Sequence, residues 1–112
     1  MNKKERLECN VLLSIINKCV RLIKVRHEEI IDICSLPMDD VKVYELMNTD
    51  RTCDVFGLEY PRVHSLIELK KPCRFCDIEE LNVADPFETY VCFWLKLYYP
   101  DEYRDALNPF IS

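Results

Sequence analysis

The stretch from Asp85 to Tyr98, DPFETYVCFWLKLY, constrains the fold more than any other part of the chain. Asp85 suits a helix N-cap and Pro86 the first helical position. Glu88 follows three residues after the cap, where its carboxylate can reach back to the cap amide. Behind this start signal Phe87, Val91, Trp94, Leu95 and Tyr98 recur at i, i+4, i+7, i+8 and i+11, which predicts one apolar stripe. A helix of this kind must bury that stripe. With Phe87 and Trp94 inside, truncating either to alanine should cost roughly 3–5 kcal/mol.

The surface that receives it is read near the N-terminus, where Cys9, Leu12, Ile15, Ile16, Cys19, Leu22 and Ile23 share one helical face. The expected fold is therefore mainly α, one compact small domain over residues 1–112. Its basic amphipathic helix covers about 3–24 and its central apolar helix about 86–98. An α+β arrangement with strands at Val41–Leu46 and Val63–Leu69 is the alternative. The segment His27–Cys34 reads as a short helix or a strand, closed by Pro37. Val43, Tyr44 and Met47 match helical spacing after Asp39 and Asp40, although VKVYEL also alternates. Asp77 to Leu81 suits one helical turn. Pro100 opens a last helix with Tyr103 and Leu107 on one face, stopped at Asn108-Pro109.

Of the 112 residues, 49% are apolar and 31% charged, the mixture of a globular chain and not of a disordered tail. The apolar run Val11–Ile16 is too short for a membrane span and makes a poor secretory signal. Glu5 and Glu8 argue against a mitochondrial presequence. A cytoplasmic protein is expected. Seven cysteines, an odd number with no export signal, argue against a disulfide framework, and Cys19 and Cys92 read as small core hydrophobes.

Charge is distributed unevenly. Residues 1–27 carry seven basic and two acidic side chains, a net +5, and the other 85 carry eight basic and eighteen acidic, a net −10. Lys3, Arg6, Asn10, Ser14, Asn17, Arg21 and Lys24 follow one another at helical spacing, a polar ridge with four cations. A solvated helix face explains such a ridge, and so does a surface that meets phosphates. In KKPCRFC, Lys70, Lys71 and Arg74 flank Phe75, a pattern that can hold phosphates while the ring stacks on a base; a Phe packed inward is the plainer reading. Cys73 and Cys76 are at the spacing of two zinc ligands. A structural zinc would need two further ligands from Cys34, Cys53, His64 and Cys92, with Cys53 and His64 the favoured pair because they sit in the least regular segments. The single C-x-x-C equally describes two reduced thiols on a loop.

Enzymatic patterns are not found. One glycine, Gly57, cannot make a phosphate-cradling loop, no serine stands in a nucleophile elbow, and neither His27 nor His64 sits in a triad pattern. The adjacent acids Glu28-Glu29, Asp39-Asp40 and Glu79-Glu80 diverge from each other on any regular element. The sequence thus points to a non-catalytic factor without a small-molecule substrate or a membrane. In this reading it docks on a ribonucleoprotein assembly such as the ribosome and regulates or silences it. The basic ridge and the KKPCRFC loop would meet rRNA, and the acidic body basic proteins. A protein-only adaptor or regulatory subunit, such as a host-interaction protein, with the aromatics Tyr98, Tyr99 and Phe110 as its contacts, is the alternative.

Overall fold

The computed structural model describes residues 3–49, 67–80 and 85–111, with side chains from Leu12 onward and up to Pro109. Among them every regular element is helical, so the chain is mainly α. The order is α1 (Lys3–His27), a 3-10 turn (Ile33–Ser35), α2 (Val41–Thr49), a helical turn at 67–70, α3 (Phe75–Glu79), α4 (Pro86–Tyr98) and α5 (Pro100–Ile111). The strand alternative at 41–46 is replaced by α2. Of 63–69, only 67–69 are described, and they are helical.

Helix α4 is the hub, packed against α1, α2, α3 and α5, while α1 also lies along α5. Half of the expected cap forms: the Asp85 carboxylate accepts from Glu88 N–H at 2.9 Å and Pro86 occupies the first turn, whereas Glu88 Oε2, expected to reach back to the cap amide, is buried without a hydrogen-bond partner. Its buried surface is wider than one stripe. Thr89, Tyr90, Val91, Cys92, Phe93 and Leu95 are buried, whereas Phe87 and Trp94 are only partly buried and Tyr98 is 42% exposed. A helix surrounded by four others buries residues on nearly every side, so a single-face reading catches part of the contact.

Helix α1 supplies the opposing apolar face through Leu12, Ile15, Ile16, Cys19 and Ile23, all buried, while Ser14, Asn17, Arg21 and Lys24 stay in solvent. It ends at Glu28, whose φ of 58° is left-handed and whose N–H donates to Lys24 O at 3.0 Å. That break, followed by Asp32 accepting from Cys34 N–H and Ser35 Oγ–H, turns the segment after His27 into an irregular link. Of the short helix or strand expected there, only the 3-10 turn at Ile33–Ser35 forms.

Helix α2 buries Val43, Tyr44 and Met47. Its first turn is held by Asp40, whose Oδ1 accepts from Lys42 N–H at 2.9 Å. Tyr90 links this end to α4, receiving Asp40 N–H on its hydroxyl and donating to Pro37 O at 2.8 Å. The last helix passes through Pro109 instead of stopping before it. The missing N–H falls in the final turn, so one backbone bond is lost and the helix ends two residues later.

Candidate functional site

Of the cations on the N-terminal ridge, Arg21 and Lys24 project into solvent from the last turns of α1, with Ser14 and Asn17 on the same exposed face. The side chains of Lys3 and Arg6 lie outside the described ones. The second basic set is on a different element. Lys70 ends the helical turn at 67–70 and pairs with Glu80 at 2.9 Å. Lys71 holds a left-handed φ of 47° and donates its N–H to Ile67 O at 2.9 Å, which reverses the chain toward Pro72. Arg74 is exposed at the start of α3, and Phe75 is partly buried against the core. The structure thus spreads the candidate binding residues over two regions, α1 and the 67–75 turn, with the ring of Phe75 turned toward the protein.

The turn is organised by Asp77. Its Oδ2 accepts from Cys73 N–H at 3.0 Å, Cys73 Sγ–H at 3.5 Å and Arg74 N–H at 3.2 Å. The Cys73 amide bond is the main reason its carboxyl sits below the ordinary range. Asn48 closes the turn onto α2 by donating to Pro72 O at 2.8 Å and Tyr44 O at 2.9 Å. An open cleft of about 300 Å³ borders it, lined by Val41, Tyr44, Asn48, Lys71 and Cys73 among others. Cys73 and Cys76 are exposed free thiols. Cys53 and His64, the other two residues of the zinc reading, lie outside the described residues, and no group of three or more metal-ligating side chains occurs among the described ones.

Sequence reasoning missed a corner where α1, the link after it, α4 and α5 meet. Nε2 of His27 donates to Glu102 Oε1 at 2.5 Å, and Arg26 donates to Glu102 Oε2 at 3.2 Å and pairs with Asp105 at 2.8 Å. Glu102 is buried, and the hydrogen bond from His27, followed by that from Arg26, holds its carboxyl below the usual range against the opposing effect of burial. Around this pair Trp94, Tyr98, Tyr99 and His27 bring their rings together. The Tyr98 hydroxyl donates to Asp40 Oδ2 at 2.5 Å, and that of Tyr99 donates to Glu29. The polar partners are 58 to 79 residues apart, so no local spacing announces them.

Against this geometry, comparison with known proteins gives a specific result. A family model of the bacterial DNA polymerase III alpha subunit finger domain matches residues 12–82. The chain belongs to this family. Its matched part runs from the buried face of α1 through α2 and α3, and stops short of α4 and α5. Relatives of the same subunit are also similar to this chain. The DNA polymerase III subunit alpha of Saccharopolyspora erythraea is 33% identical over 70 residues, 62% of this chain and 6% of that protein. That of Aquifex aeolicus is 44% identical over 57 residues, 51% of this chain and 5% of the relative. A Staphylococcus aureus counterpart is 39% identical over 66 residues, 59% and 6% of the two chains. No solved structure matches.

The finger-domain match overturns the ribosome-docking reading, with its rRNA and ribosomal-protein partners and its role in translation. Mixed charge and a basic helix are shared by many nucleic-acid-associated proteins, and that shared electrostatics is what misled the sequence reading. The expectation of a non-catalytic factor is qualified, since this family is one domain of a polymerase subunit. Among the described residues no helix is long and apolar enough to cross a membrane.

Proposed function

We propose that this chain is a finger-domain module of the DNA polymerase III alpha type. In this role it holds DNA by its phosphates within a polymerase assembly and does not transfer nucleotides itself. The observation that carries this reading is the family match over residues 12–82, which takes in Arg21 and Lys24 as well as Lys70, Lys71 and Arg74. Because the chain spans only 5–6% of the length of these relatives, replisome partners and a cytoplasmic place of work belong to the proposal, and phosphoryl transfer is left to the rest of the assembly.

Physically, the exposed α1 ridge suits phosphates better than base edges. Arg21 and Lys24 are separated by nearly one helical turn and flanked by the short polar side chains of Ser14 and Asn17, so a backbone can approach the helix closely. The acidic remainder of the chain repels naked nucleic acid, so binding should be weak and strongly dependent on salt. Structural zinc on Cys53, His64, Cys73 and Cys76 stays a separate proposal, supported by the exposed pair of thiols; a mass excess of one zinc on the native chain would establish it.

Fluorescence anisotropy with a labelled primer–template duplex tests the DNA reading. Binding at low salt should weaken steeply as salt rises. Arg21→Glu with Lys24→Glu should weaken it further and flatten the salt slope by roughly one per cation removed. Binding of the double variant equal to that of the natural chain, at every salt, would sink the assignment of this ridge.

A further inference from the structure

Trp94, Tyr98 and Tyr99 lie on α4 and at its end, beyond the part of the chain that the finger-domain family covers. Their rings form a continuous surface cluster. The Trp94 and Tyr98 centroids are 5.0 Å apart, those of Trp94 and Tyr99 5.9 Å, and the His27 ring meets Tyr99 edge-on at 5.5 Å. Trp94 and Tyr99 are half-buried and Tyr98 is 42% exposed, so part of each ring is anchored while part faces solvent. Both tyrosines are also tied at the hydroxyl, Tyr98 to Asp40 and Tyr99 to Glu29. Rings fixed at both ends lose little entropy when something docks on them.

The charge around the cluster decides what can dock. Both hydroxyl acceptors come from the segment Glu28–Asp40, which holds Glu28, Glu29, Asp32, Asp39 and Asp40 and neither lysine nor arginine. A carboxylate that has accepted one tyrosine hydroxyl keeps further lone pairs free for a donor. The nearest basic side chains already have partners: Arg26 pairs with Glu102 and Asp105, and His27 is hydrogen-bonded to Glu102. The surface therefore offers open acceptors and aromatic faces. A phosphate chain would meet carboxylates there, whereas a guanidinium can stack on an indole or phenol face and bond a carboxylate at the same time.

We propose that this cluster is a docking surface for an arginine- or lysine-bearing segment of a partner protein, separate from the basic ridge assigned to DNA. The two surfaces have opposite electrostatic character, so one module can meet nucleic acid on α1 and a basic protein segment at the α4–α5 junction.

Trp94 is the chain's sole tryptophan, so its emission reports on the proposed surface directly. The probe is a short peptide of alternating arginine and leucine, with an alternating glutamate–leucine peptide and single-stranded oligothymidylate as comparisons. The arginine peptide should give a saturable change in Trp94 emission, and the other two none. Tyr98→Ala and, separately, Glu29→Gln should each weaken peptide binding several-fold, up to about tenfold for the tyrosine. Glu79→Gln, the same loss of charge on α3, should leave it nearly unchanged. Far-UV circular dichroism of each variant verifies the fold, and Glu29 sits in the exposed link, where its loss leaves the helices intact. Equal weakening by Glu79→Gln and Glu29→Gln would mean that the peptide reads only net charge, and would overturn the proposal. So would a response to oligothymidylate as strong as that to the peptide, or no response to the peptide at all. None of these results depends on whether α1 binds duplex DNA.

Discussion

Asp85 and Glu88 show how two carboxylates one turn apart acquire opposite roles. Asp85 caps α4 through the Glu88 amide, and replacing it with alanine should cost about 1 kcal/mol, read as a lower midpoint in urea unfolding. Glu88 Oε2 is buried without a hydrogen-bond partner, and burial, followed by the nearby charge of Asp85, raises its carboxyl to about 7. A carboxyl with a raised folded pKa favours the fold while it is neutral. Its contribution is complete below its ordinary value of 4.5 and is lost as pH climbs through about 7. Glu88→Gln should therefore stabilise the protein at pH 8, by roughly 1–2 kcal/mol once solvent screening is allowed for, and leave it little changed at pH 4. Melting temperatures across that range check it; an unchanged pH profile would refute the assignment. The sequence displayed the cap but not this burial, because the amino-acid order does not say which side of the first turn faces the core.

At the scale of elements, burial separates residues that the periodic pattern treats alike. Leu95 and Ile15 are fully buried on α4 and α1, and either one truncated to alanine should cost about 2–5 kcal/mol. Trp94 is only partly buried and its ring leans on Tyr98 and Tyr99, so Trp94→Ala should cost less than the roughly 3–5 kcal/mol expected for a tryptophan inside the core. Denaturant unfolding of the three variants ranks them; Trp94→Ala as the most damaging would contradict the geometry. The apolar face of α1 was legible from Leu12 to Ile23, since one neighbouring layer selects one face. That of α4 was legible in part, since four neighbours select most of its circumference. Helix α2 was ambiguous on period alone, and tertiary burial of Val43, Tyr44 and Met47 settles it as a helix.

For the molecule as a whole, Glu102 is the tie between the two ends of the chain. It bonds Arg26 and His27 across 76 and 75 residues, fastening the end of α1 to the start of α5. Its carboxyl is held below the usual 4.5, so the tie contributes fully above that value and is lost as pH falls through the lower folded pKa. Glu102→Gln should cost about 1–3 kcal/mol at pH 7, and the variant should lose less further stability than the natural chain on acidification. Thermal unfolding at pH 7 and pH 3 measures both. What the sequence determined by itself was local: the helix starts, the apolar face of α1, the charge imbalance between residues 1–27 and the rest, and the absence of recognisable catalytic patterns. These depend on neighbours within a few residues, where spacing and side-chain chemistry act directly. Only the tertiary structure decided that α4 is buried by four helices and that Glu102 faces His27 and Arg26. It also decided that Tyr98 and Tyr99 hold carboxylates 58 and 70 residues away. Such contacts depend on how complete helices pack, a collective outcome that no short stretch of residues specifies.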